Sequence, residues 1–242
     1  MVCVPKTMDN DVGNTPYCIG FSTAMTRAID AIGRQRTTIG SHERVGVFRI
    51  FGRDAGFTAL YTAYVTNVRC AIPEHEFDLE KMCDLLITDK ENNPSNYSIV
   101  ILSEGATWKG RDVAEYGEAD AFGHRKKVNV AEHFSDEIKR IGKDKGIETV
   151  VSDLTYDLRG GEPDFFDKMV ATTFATMAVE AIADGDRGKM TGIQNGCYTL
   201  ANLPEAAKGP RSVDTETMYN VDRYRPDYSR KGGLPVFLTR AD

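Results

Sequence analysis

VGVFRIFGRDAGFTALYTAYVTNV, residues 45–68, sets an apolar run, a polar loop bounded by glycines and a segment of helical period in direct succession. Residues 45–51 read as a buried strand, 52–56 as a tight loop, and 57–68 as a helix folded back onto the strand. The same alternation extends in both directions. Upstream, a strand at residues 1–4 leads into a polar loop at 5–14. Thr15 as N-cap and Pro16 at the first helical position then predict a helix whose buried stripe is Ile19, Ala24, Ala28, Ile29 and Ile32. Downstream, the pattern predicts a strand near 70–72, a helix near 79–87, a loop at 89–96 and a buried strand at 97–102 that ends in Ser103, Glu104 and Gly105. A helix near 130–141, a strand near 148–152, a helix over 164–183 and two short strands at 190–194 and 197–201 follow. The last helix carries an apolar stripe of Phe166, Met169, Val170, Phe174, Met177 and Val179. Strands separated by helices predict an α/β fold with a largely parallel sheet, which places ligands at the C-terminal ends of its strands. Residues 107–127, with the single tryptophan Trp108, read as an irregular insertion. From residue 204 the chain reads as a polar tail that wraps a partner or another part of the protein.

The 242 residues are enough to bury a core, and 41% hydrophobic with 27% charged residues excludes disorder and low-complexity classes. Thirty-six acids against 30 bases leave a formal charge of −6. That balance offers no basic footprint for nucleic acid or an anionic membrane, so any phosphate site must be local. There is no run of eighteen apolar residues, and the start MVCVPKTMDND has no signal-peptide pattern, so a cytoplasmic location is expected. Cys3, Cys18, Cys70, Cys83 and Cys197 are scattered without a CxxC pair and read as buried thiols. His42, His75, His124 and His133 lack the spacing of a histidine metal centre.

The densest chemical signal is PKTMDND, residues 5–11, a lysine, a hydroxyl and two carboxylates between a strand and a helix. Phosphoryl transfer needs such parts: a cation for phosphate oxygens, a base near the acceptor hydroxyl and a carboxylate that orders the neighbouring groups. By itself the stretch also reads as a polar turn built on Asp and Asn. Followed by TPYCIGFSTA, it resembles the phosphofructokinase signature, and further landmarks occur in that family's order: SHER at 41–44, FGRDAG at 51–56, SEG at 103–105 and YDLRGGEPDFFD at 156–167.

The resemblance implies a parallel-sheet phosphofructokinase-like α/β fold with a smaller sugar-phosphate-binding α/β domain. It implies that residues 1–38 end a large donor-side domain, 39–155 form the sugar-phosphate domain, 156–203 return to the large domain and 204–242 are a C-terminal tail. Relatives carry a glycine-rich donor-phosphate loop and a Gly-Gly-Asp-type metal segment before PKTMDND. Neither occurs here, so a fold incomplete at its N-terminus is expected. The implied reaction makes fructose 1,6-bisphosphate from fructose 6-phosphate with Mg²⁺, in a homo-oligomer. Asp9 is implied as the base, Thr7 and Asp11 as holding the loop and the acceptor, Gly52 as allowing close approach of the sugar, and Arg53 as stabilising the phosphoryl group in flight. Glu104 is implied to accept sugar hydroxyls, Tyr156 and Arg159 to grip the 6-phosphate, and Arg44 to reach a neighbouring subunit's sugar phosphate. Arg44 as a surface ion pair, Glu104 as a helix cap and Tyr156 as a core aromatic are the competing structural readings. Lys6 favours pyrophosphate as donor, because ATP-using bacterial relatives have glycine there; ATP is the alternative. A non-catalytic sugar-phosphate-binding fragment and a generic nucleotide-binding α/β protein are the rival readings. The chain departs from the bacterial ATP-using pattern at Tyr156 (histidine there), at Val150 (a second intersubunit arginine there) and at Phe51 (commonly methionine). Part of the phosphate grip is therefore expected elsewhere, at residues such as Lys126 or Lys127, and the bacterial pattern of nucleotide regulation is unsupported.

Overall fold

Residues 45–50 form an inner strand of a four-stranded parallel sheet in the computed structural model, which describes residues 1–111, 115–116, 118 and 126–229. In chain order the elements are β1 (Val2–Cys3), α1 (Phe21–Ser41), β2 (Val45–Ile50), α2 (Phe57–Thr66), β3 (Arg69–Ala71), α3 (Leu79–Asn92) and β4 (Ser98–Ser103). Then come β5 (Glu115–Tyr116), β6 (Lys126–Lys127), α4 (Val130–Ile141), β7 (Thr149–Leu154), α5 (Phe165–Ala183), β8 (Lys189–Gln194), β9 (Cys197–Asn202), β10 (Tyr219–Asn220) and β11 (Arg225–Pro226). The parallel sheet has the order β3-β4-β2-β7, and Ile50 lies level with Ser103 on one side and Leu154 on the other. The loops after β2, β4 and β7 therefore leave the sheet at one edge. Val45, Val47, Phe48, Ile50 and Ile99–Leu102 are buried, as expected for strands covered on both faces by helices. A second sheet joins β1 in parallel to β8 and β8 antiparallel to β9, so the start of the chain is paired with residues 189–194.

Several expectations need correction. The helix expected at Thr15 begins at Phe21, with Gly20 as its left-handed N-cap. Residues 15–19 are drawn away from helical geometry by other partners: Cys18 N donates to Asn10, Ile19 N to the Pro5 carbonyl, and the Thr15 hydroxyl to the Tyr17 carbonyl. Helix α3 runs through the first half of the expected 89–96 loop and ends at Asn92; its cap, Asn93, is extended because Pro94 follows. Trp108 belongs to the core, packed on Phe77 and Phe134. In α5, apolar around most of its circumference, Val170 and Phe174 are buried, but Met169 is 39% and Val179 68% exposed. An apolar periodicity without a polar face does not specify which side is covered.

The tail packs on its own chain. Cys70 N donates to the Tyr224 carbonyl, the Tyr219 hydroxyl donates to the Cys70 carbonyl, and Arg69 Nη1 donates to the Arg223 carbonyl. Residues 219–226 thus line the β3 edge of the parallel sheet. Among the described residues, no helix is long and apolar enough to cross a membrane.

Candidate active site

The 5–11 loop leaves β1 and is folded around Asn10, which is buried and left-handed at φ 56°. Its Oδ1 accepts Cys18 N at 2.9 Å and its Nδ2 donates to the Pro16 carbonyl at 2.9 Å. Asp9 N donates to Thr7 Oγ1 at 3.2 Å, so the hydroxyl and the carboxylate are held on one short span. Lys6 bridges to Ile19 and, with Thr7, Gly20, Thr23, Arg159 and Asp167, lines a cavity of about 280 Å³.

Asp167 is the positioning residue of this corner. Its Oδ1 accepts Gly20 N at 2.7 Å and the Tyr17 hydroxyl at 2.6 Å, and its Oδ2 accepts Thr23 N at 2.9 Å together with the Thr23 hydroxyl. It therefore satisfies the Gly20 and Thr23 N–H groups at the start of α1 from a different helix. Asp164, the N-cap of α5, accepts the Ser22 hydroxyl at 2.6 Å, so the two helix starts brace each other.

The two strand-end loops interlock. Gly105 N and the Ser103 hydroxyl both donate to the Gly52 carbonyl, at 3.0 and 2.7 Å, and Glu104 N donates to the Ile50 carbonyl at 2.9 Å. Gly52 sits at φ 128°, and a Cβ there would lie 2.4 Å from Ser103 Oγ. A Cβ on Gly105 would lie 1.9 Å from the Arg53 carbonyl oxygen, so neither position admits a side chain without moving the backbone. This closeness brings Arg53 Nη2 to 3.4 Å from Glu104 Oε1. Arg49, unassigned by the motif, adds a second cation: its Nη2 is 4.0 Å from Glu104 Oε1 and its Nη1 3.2 Å from Asp153 Oδ2.

After β7, a single 3-10 turn (Tyr156–Leu158) carries Tyr156 and leads to Arg159. The Arg159 guanidinium lies 4.2 Å from the centroid of the Phe51 ring, and Tyr156 meets the same ring edge-on at 6.2 Å. Phe51, in the position where methionine is common, thus provides the arginine with an aromatic platform. Tyr156 is 78% exposed, which overturns the core-aromatic reading.

The charges converge on Asp9. Burial pushes its carboxyl up to about 6; Asp11, Glu104 and Asp54 push the same way, while Arg159 opposes them. Glu104 and Arg159 thus share the electrostatic surroundings of Asp9, and Arg53 joins the group through Glu104. Asp9 Oδ1 is buried, and no donor reaches it among the described residues. The Asp11 carboxyl is also raised, chiefly by burial. Arg44 stands apart: it lies at the opposite end of β2, where its Nε donates to Glu148 Oε2 at 2.9 Å. The side chains of Lys126 and Lys127 lie outside the described residues. Among the described residues, no three His, Cys, Asp or Glu side chains form a metal cage.

Comparison with known proteins places these loops in context. A family model described as phosphofructokinase matches residues 1–182. The chain is 36% identical over 219 residues to the pyrophosphate–fructose 6-phosphate 1-phosphotransferase of Amycolatopsis methanolica, covering 89% of this chain and 62% of that protein. It is 33% identical over 216 residues to an ATP-dependent 6-phosphofructokinase of Streptomyces coelicolor, covering 88% and 62%. Among solved structures, the pyrophosphate-dependent phosphofructokinase of Nitrosospira multiformis superposes with a TM-score of 0.78 at 20% identity, over 100% of this chain and 60% of that one. The corresponding protein from Marinobacter aquaeolei gives 0.73 at 19%, over 100% and 65%. The chain therefore spans about 62% of the length of the curated relatives it matches.

Proposed function

The chain belongs to the phosphofructokinase family, and we propose that it carries the sugar-phosphate side of an enzyme that phosphorylates the 1-hydroxyl of fructose 6-phosphate. The observation that carries this reading is Asp9, whose buried, partnerless oxygen lies in a setting shared with Glu104 and Arg159. A carboxylate near 6 is mostly ionised at neutral pH yet basic enough to take a proton as the alcohol attacks. In the proposed step Asp9 takes the 1-hydroxyl proton while that oxygen bonds to the donor phosphorus. The bond from phosphorus to the leaving phosphate breaks, and Arg53 stabilises the charge on the transferring group. Glu104 accepts the sugar hydroxyls. Arg159 on its Phe51 platform, with the exposed Tyr156, holds the 6-phosphate.

Thr7 and Asp11 hold the loop, and Gly52 lets the backbone approach the sugar. In this reading residues 39–155 form the sugar-phosphate domain, while 1–38 and 156–203, which supply β1, β8 and β9, belong to the large donor-side domain and lend Asp9, Tyr156 and Arg159 to the sugar phosphate from across the site. Relatives of similar identity are named for either donor. Lys6 at the cavity favours pyrophosphate, since its charge matches a small leaving phosphate and its bulk takes space that the rest of ATP would need. The described residues form no cage for Mg²⁺, and we assign the ion to no residue of this chain. Arg44, remote from the site of its own chain, serves a neighbouring copy in a homo-oligomer. The test is turnover of fructose 6-phosphate by the full-length protein with Mg²⁺ and either donor. The reading expects fructose 1,6-bisphosphate with pyrophosphate; product with ATP alone would overturn the donor assignment, and no product with either would overturn the function.

A further inference from the structure

Residues 211–213 lie between the loop that carries Asp9 and the loop that carries Arg53. Arg211 N donates to the Asp11 carbonyl at 2.7 Å, and its Nη1 donates to the Thr15 carbonyl at 3.3 Å, so backbone and side chain both grip the Asp9 segment. On its other side the guanidinium lies 4.3 Å from the ring centroid of Phe57, the first residue of α2 and the one that follows Gly56. Two residues on, Val213 N donates to Glu74 Oε1 at 2.8 Å, and that oxygen also accepts Gly56 N at 2.9 Å. The tail is thus tied to both loops within three residues. A guanidinium suits the place, since it stacks a flat face on an aromatic ring while donating from its edge.

We propose that Arg211 is a positioning residue for phosphoryl transfer: by spanning the Asp9 loop and the Arg53 loop, it sets the distance between the base and the arginine that stabilises the transferring group. No hydrogen bond is seen from Arg211 to either residue among the described contacts, so it acts through Asp11, Thr15 and Phe57. The proposal rests on the phosphotransferase reading for its kinetic consequence, but its structural consequence is independent of that reading.

The experiment compares Arg211→Met, Arg211→Lys and Phe57→Leu with wild type in the full-length protein, by kinetics and by hydrogen–deuterium exchange. A misplacement of about 1 Å can lower turnover about a hundredfold, so Arg211→Met is expected to lower kcat about tenfold or more while KM for fructose 6-phosphate changes less than about threefold. Arg211→Lys recovers part of the loss. Exchange is expected to rise in peptides over 9–20 and 52–57 and to stay unchanged over 98–103, with a weaker copy of the pattern in Phe57→Leu. Wild-type kcat in a folded Arg211→Met protein would overturn the proposal. So would exchange that rises evenly through β4, or that does not rise in the two loops. If the wild type turns over neither donor, the proposed function fails, and the exchange pattern alone decides the brace.

Discussion

Asp9 and Asp167 are both carboxylates drawn largely out of water at the same site, and their surroundings treat them in opposite ways. Asp167, 1% exposed, accepts two backbone N–H groups and two hydroxyls, so each oxygen is matched. Asp9 has a buried oxygen with no donor among the described residues, and three further carboxylates raise its affinity for a proton. A saturated carboxylate fixes structure, whereas an unmatched one held among like charges is poised to accept a proton.

The contrast breaks most sharply on substitution. Asp9→Asn, nearly isosteric, is expected to lower kcat by about 10²- to 10⁴-fold with the fold intact, measured by steady-state turnover alongside circular dichroism. Asp167→Asn should instead act on stability. It presents an amide to groups that need acceptors and is expected to lose about 3 kcal/mol in denaturant unfolding, with a smaller effect on rate per folded molecule. The two variants exchanging these phenotypes would erase the distinction.

A smaller effect sharpens the same point through its sign. The folded Asp9 carboxyl sits near 6, above its ordinary value, so the native state binds more protons than the unfolded chain between roughly pH 4 and 6. Stability therefore falls as pH rises through that window, and the full penalty is present above it. Asp9→Asn removes the penalty and should raise stability above pH 7 by on the order of 3 kcal/mol, a gain that vanishes below about pH 4. The smallest expected effect is at the phosphate grip. Phe51→Leu removes the ring under Arg159, a contact of about 0.5–1 kcal/mol, and should raise KM for the sugar phosphate about two- to fivefold with kcat nearly unchanged.

How much of this was readable in advance divides along the same line. Asp9, Arg53, Glu104 and Arg159 lie in compact motifs at predicted strand ends, where one stretch of chain supplies both the chemistry and the backbone that aims it. Asp167 was visible as the last letter of YDLRGGEPDFFD, but its partners Tyr17, Gly20 and Thr23 are 144 to 150 residues away. The start of α1 departs from the local pattern because Thr15 and Pro16 look like a helix start, while the competing bonds come from the loop residues Pro5 and Asn10 nearby and from Asp167 on a distant helix. Asn10 offered one signal, an amide between two aspartates, since asparagine readily takes the left-handed turn the loop needs. Arg49 and Arg211 carry no motif, and their meaning comes only from the sheet register and from the tail folding back. The polar composition of the tail matched a wrapping segment without naming the surface it wraps.

The claim on which the rest depends is that the titration of Asp9 gates turnover. The direct measurement is the pH dependence of kcat/KM for fructose 6-phosphate, in wild type and in Asp9→Asn. The account predicts that wild-type activity falls about tenfold per pH unit below about pH 6, where Asp9 gains its proton, and that the limb is absent from the residual activity of the variant. The same limb in both proteins, or equal rates at neutral pH, would contradict it.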